Sequence, residues 1–106
     1  MVRQSKYKDY LVFNMPERYD SELANSYKTE ISKMISAGQK KIIFDFTETK
    51  IINSPEIGLL ISVFRTLKEK NGDLIIVGLS ENLQQIFSLT KLDKIFKIYP
   101  TVESII

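Results

Sequence analysis

Few side chains in this chain could do chemistry, and those that could gather in one stretch. Ser54 offers a hydroxyl; Asp45, Glu48 and Lys50 precede it, and Glu56 follows. A serine nucleophile needs a neighbouring base to take its proton, and Lys50 is the only lysine within a few residues. The chain has no histidine, so the commonest general base and the commonest transition-metal ligand are both missing. It has no cysteine, which rules out a thiol nucleophile, a disulfide framework and a thiolate-held metal. The glycines stand singly at Gly38, Gly58, Gly72 and Gly78, so no Gly-rich phosphate loop exists and no cofactor is expected. Asp45, near the end of an apolar run, is read as a loop support that hydrogen-bonds the backbone after it. Whatever chemistry reaches Ser54 is then expected to be done to this protein, not by it.

The elements that must position Ser54 follow from the residues around it. Lys41 to Phe46 is a continuous apolar run, interrupted by Asp45, as in a strand covered on both faces. From Ile57 onward the spacing is helical, with Ile57, Leu60, Ile61, Phe64 and Leu67 on the expected inward face. Ser54 is read as the N-cap, Pro55 as the first helical residue and Glu56 as a negative charge at the positive end of the helix dipole. Leu59 and Val63 widen the apolar arc. They read either as flanking core or as partner anchors starting beside Ser54.

The rest of the chain frames that junction. Lys6 to Met15 reads as one strand or as two joined by a hairpin around Lys8-Asp9. Asp20 or Ser21 caps a first helix carrying Leu23, Tyr27, Ile31, Met34 and Ile35, which Gly38 ends. Asn71-Gly72 stops the second helix. Asp73 to Leu79 is a buried strand, Ser80 caps a third helix to about Leu89, and Lys94 to Tyr99 is a short last strand. Thr101 opens a final turn. The order β-β-α-β-α-β-α-β specifies an α/β fold: a mostly parallel mixed sheet of four or five strands with helices packed against it.

A chain of 106 residues is expected to form one domain, residues 1–106, around one core. The formal charge is +2, and the densest positive patch is Lys91, Lys94 and Lys97, interrupted by Asp93. That is too little for a nucleic-acid partner, and lysines on a solvated face are the ordinary reading. No apolar run approaches the roughly 18 residues of a membrane span, and the N-terminus does not look secretory, so a cytoplasmic protein is expected.

The order of elements, the strand-to-helix junction and the segment Phe87-Ser88-Leu89-Thr90-Lys91-Leu92-Asp93-Lys94-Ile95-Phe96 resemble the STAS domain family, specifically bacterial anti-sigma factor antagonists. In that family a strand ending in an aspartate, matched by Asp45, leads to a loop Asp-Ser-Ser-Gly-Leu-Gly. Here the loop is Asn53-Ser54-Pro55-Glu56-Ile57-Gly58, with Ser54 on the phosphoacceptor. The resemblance implies a non-enzymatic module that binds an anti-sigma factor, itself a serine kinase, and so frees a sigma factor. Phosphorylation of Ser54 would block binding and a serine phosphatase would restore it. The partner surface would comprise residues 53–58 with Leu59 and Val63. Asn53, Pro55 and Glu56 depart from the family loop, and a charged Glu56 would repel a phosphate on Ser54. The alternatives are a constitutive STAS subunit of a stressosome-like or lipid-transport complex, or a small nucleotide-binding or hydrolase domain.

Overall fold

The computed structural model describes residues 3–18 and 21–105. Five strands, β1 (Arg3–Tyr7), β2 (Tyr10–Asn14), β3 (Lys41–Asp45), β4 (Asp73–Val77) and β5 (Lys97–Tyr99), form one sheet in the order β1-β2-β3-β4-β5. The hairpin β1–β2 is antiparallel, turning at Lys8-Asp9 as expected, with Lys8 left-handed at φ 55°. All other neighbours are parallel: Ile43 lies between Val12 and Ile75, and Val77 beside Tyr99.

Each parallel step is carried by a helix: α1 (Ser21–Ser36), α2 (Ser54–Glu69) and α3 (Glu81–Leu89). Alternate strand residues divide two apolar layers. Leu11, Phe13, Ile42, Phe44, Leu74 and Ile76 pack with the three helices, which therefore all cover one face. Val12, Ile43, Ile75 and Val77 point to the other face, where Ile105 and Val102 of the tail and Tyr7, Tyr10 and Tyr99 cover them. That alternation is the two-residue period of a strand. It explains why the central runs read as apolar throughout.

All six phenylalanines join in one chain of mostly edge-to-face contacts: Phe13, Phe44, Phe46, Phe87, Phe96 and Phe64, with centroids 5.2–6.5 Å apart. This geometry suits the ring quadrupole and ties β2, β3, α3 and α2 together.

The helix ends follow local rules. Gly38 (φ 105°) ends α1 with Gly38 N–H donating to Ile35 O and Gln39 N–H to Met34 O, the paired bonds of a Schellman motif. In α2 the left-handed residue is Asn71 (φ 60°), not the glycine after it. Gly72 serves close approach instead, since a Cβ there would collide with Lys40 O. Ser80 Oγ caps α3 by accepting from Leu83 N–H at 3.2 Å. Of the two residues expected to cap α1, Ser21 is the first residue of the helix and Asp20 lies outside the described residues.

Several strand boundaries differ from expectation: β1 begins at Arg3 and not Lys6, β4 ends at Val77 and not Leu79, and the last strand is shorter. Lys94 to Tyr99 is not all strand: Leu92–Lys94 form a 3-10 turn and β5 begins only at Lys97. Phe96 N–H bonds back to Leu92 O at 3.1 Å, and both side chains are buried against the helices. Packing of those two residues overrides the strand pattern.

Candidate functional site

The junction between β3 and α2 is held from below and open above. Asp45 Oδ1 accepts from Thr47 N–H (2.9 Å) and from the Thr47 hydroxyl (2.5 Å), turning the chain at the end of β3. Gly78 (φ 78°) makes room for that turn, because a Cβ there would sit 2.9 Å from Asp45 Oδ1 and closer still to Thr47 Oγ1. Three bonds then tie the junction to residues 15–17: Met15 N–H to Asp45 O (2.9 Å), the buried Thr49 hydroxyl to Pro16 O (2.8 Å) and Lys50 N–H to Glu17 O (3.2 Å). Lys50 and Glu17 also pair at 3.9 Å, and Ile52 is buried beneath.

The cap is Asn53, one residue earlier than expected. Its backbone is extended (φ −124°, ψ 178°), and its Oδ1 accepts from Glu56 N–H at 3.4 Å. Asn caps as well as Ser does, and moving the cap back makes Ser54 the first helical residue with Pro55 still in the turn that needs no intrahelical donors. Ser54 is thereby relieved of capping. Its side chain is exposed, and among the described residues no hydrogen bond engages its hydroxyl.

Glu56 overturns a second expectation. It is wholly buried (0% exposed), and among the described residues neither carboxyl oxygen has a hydrogen-bond partner. Burial pushes its pKa up to about 8, so at neutral pH the carboxyl is mostly protonated and puts almost no negative charge beside Ser54. It lies on the same helical stripe as Leu60, Val63 and Leu67.

Leu59 and Val63 are not a patch next to Ser54. They are 8% and 5% exposed and floor a cleft of about 150 Å³ between α1 and α2, facing Ile31 and Ile35. The helix packs on both the sheet and α1, and so buries a wider arc than one face requires. Ile57, Ile61 and Phe64 are only half-buried in consequence.

The surface around the hydroxyl is instead Asn53, Ser54 and Pro55, all exposed, with half-buried Ile57 and with Gly58, above which a Cβ would meet nothing within 4 Å. Ile51, 49% exposed, adds an apolar side chain that the sequence reading passed over. An isoleucine just ahead of the N-cap pair, with Ile52 already supplying the buried anchor, is the signal that could have found it.

The profile of the STAS domain matches residues 2–105. The chain belongs to the STAS domain family. It is 27% identical over 96 residues to a Thermotoga maritima protein assigned as an anti-sigma factor antagonist, covering 89% of this chain and 85% of that one. The crystal structure of a Thermotoga maritima protein assigned the same role superposes with a TM-score of 0.87 at 24% identity, over 96% of this chain and 88% of that chain. The anti-sigma-B factor antagonist of Listeria monocytogenes is 32% identical over 54 residues, 51% of this chain and 47% of its own. The Bacillus cell fate determinant SpoIIAA in its phosphorylated form gives a TM-score of 0.78 at 20% identity, over 99% and 96% of the two chains. The structural likenesses, below 25% identity, speak for the fold. The STAS chain has no helix among its described residues long and apolar enough to cross a membrane.

Proposed function

We propose that this STAS domain is a cytoplasmic anti-sigma factor antagonist whose partner binding is switched by phosphorylation of Ser54. The observation that carries the reading is the state of the Ser54 hydroxyl: exposed, unengaged and standing at the first helical position while Asn53 does the capping. A phosphoryl group there adds about −1.5 to −2 charge at the positive end of the α2 dipole, where it is tolerated without refolding. Glu56, buried and mostly protonated, does not oppose it. Added charge and bulk on the exposed residues 53–55, Ile57 and Gly58 then act directly on the docked partner, an anti-sigma factor with serine kinase activity. A serine phosphatase resets the switch.

The chain supplies a hydroxyl, and the kinase supplies nucleotide and metal. The sheet supports a binding role, because strand order follows sequence order without reversal and offers no crevice of the kind where open α/β sheets take nucleotides.

The test is to compare the wild-type chain with Ser54→Ala and Ser54→Glu for binding to the anti-sigma factor of the source cell, and to weigh the native protein. Binding kept by Ser54→Ala and lost by Ser54→Glu, with native protein carrying one phosphoryl group at Ser54, is the expected result. Equal binding by all three and unmodified protein under every growth condition would sink the switch and leave a constitutive STAS subunit.

A further inference from the structure

The helix layer carries a second surface, remote from Ser54. Helix α3 begins, like α2, at the carboxyl edge of the parallel strands and runs away from it. Its nine residues place Leu89 roughly 13 Å further along at about 1.5 Å per residue. Leu89 is 83% exposed and Ile95, just past the 3-10 turn, 47%. With Ile51 they are the large apolar side chains left in water among the described residues.

Between Leu89 and Ile95 the backbone holds Lys91 in the left-handed region at φ 61°. Glycine adopts that conformation freely, whereas a lysine pays a steric cost. Strain kept in an exposed turn is a reason to look for a role. Among the described residues neither Lys91 nor Lys94 makes an ion pair, while Lys97, a few residues on, is tied to Asp73 at 3.1 Å. Lys68 lies over the Phe64 ring at 5.5 Å, and that ring meets Phe96, beside Ile95, at 5.2 Å. The result is two exposed apolar side chains flanked by cations without carboxylate partners, with Asp93 the one acid in the turn.

We propose that the corner of α3 and the following turn, centred on Leu89, Lys91, Lys94 and Ile95, docks an acidic segment of a partner protein that also carries apolar side chains. Apolar anchors ringed by charge are the usual anatomy of a protein interface. Unpaired lysines select carboxylates by complementarity. A membrane surface fits less well, since lipid recognition rests on clusters of about four to eight basic residues. Nucleic acid would use the lysines and leave Leu89 and Ile95 in water. The surface lies apart from the Ser54 end, so occupancy of one need not displace the other.

The test is a titration of the isotope-labelled full chain, followed by backbone amide shifts. The probes are a short synthetic peptide with Glu and Leu at helical spacing, its Lys-for-Glu counterpart, single-stranded oligonucleotide, and vesicles of phosphatidylcholine with phosphatidylserine. The proposal expects the Glu peptide alone to bind, with shifts confined to residues 88–96 and Lys68. Leu89→Ser and Lys91→Ala should each weaken binding by about tenfold, a normal cost for an interface anchor. Leu89→Ser should melt as the wild type does, because its side chain is already in water. Ser54→Glu should bind the peptide unchanged, which separates this surface from the switch. Equal binding of both peptides, shifts centred on α2's first turn, preferential binding of vesicles or oligonucleotide, or no binding at all would overturn it.

Discussion

Ser54 and Glu56 share the first turn of α2 but occupy opposite environments: the hydroxyl stands in solvent and the carboxyl is sealed inside. Asn53 links them, capping through Glu56 N–H. Glu56 occupies the position from which a capping-box glutamate reaches back to the cap residue's own N–H, yet its oxygens are buried with no partner among the described residues. Only half of the box is built.

Stability should therefore separate the two hydroxyl- or amide-bearing residues. Asn53→Ala should cost about 1 kcal/mol, the usual value of an N-cap. Ser54→Ala should stay within about 0.5 kcal/mol, as an exposed substitution without a structural role does. Urea unfolding of both variants measures the difference. An equal or larger loss for Ser54→Ala would return the cap to Ser54.

Glu56 should set a pH dependence with a definite sign. Its ordinary value is 4.5 and burial raises it to about 8. Below 4.5 both folded and unfolded chains hold the proton, and the group favours neither. Between 4.5 and 8 the unfolded chain releases the proton while the folded chain keeps it, so stability falls as pH rises. Above 8 the loss is complete and constant. Glu56→Gln should remove that slope, and Glu56→Leu should also stabilise the protein at neutral pH by about 1–3 kcal/mol, the scale of an unsatisfied buried polar group. Melting curves across that range, wild type against variants, are the measurement.

Two backbone positions predict opposite signs. Lys91→Gly relieves a left-handed φ whose cost for an ordinary residue is about 1–2 kcal/mol, less what glycine gives back in unfolded-chain entropy. A rise in melting temperature is expected.

Gly78→Ala puts a Cβ onto the Asp45–Thr47 turn at a left-handed φ, where the nearest atoms are both backbone and side chain of that turn. It should cost more than about 1 kcal/mol. Asp45→Ala, which removes the acceptor of both Thr47 bonds, should cost about 1–3 kcal/mol. Thermal denaturation reads both, and an additive double variant would show that the two residues do not act on the same turn.

The strands were legible because Lys41–Asp45 and Asp73–Val77 are buried on both faces and carry apolar side chains at nearly every position. The helix ends at Gly38 and Ser80 were legible because their chemistry is local. The errors came where two local rules compete or where tertiary packing decides. Asn53 and Ser54 are equally good caps side by side, and only the turn tied to residues 15–17 selects the first. Leu59 and Val63 look surplus on a helical wheel until α1 is placed against them. Glu56 sits one turn before Leu60 on the buried stripe, but its residue type argues for water, and spacing alone could not overrule that.

The order β1-β2-β3-β4-β5 also has a consequence for how the molecule is made. Every strand pairs with the strand before it, so no pairing waits for a distant piece of chain. During synthesis the hairpin can form first, and each following helix-and-strand unit can then be laid against an edge that already exists. Such short-range pairing lowers the loop-closure cost that slows parallel sheets. A stalled chain then exposes an apolar central strand such as β3 or β4 at the growing edge, in addition to the outer edge of β1.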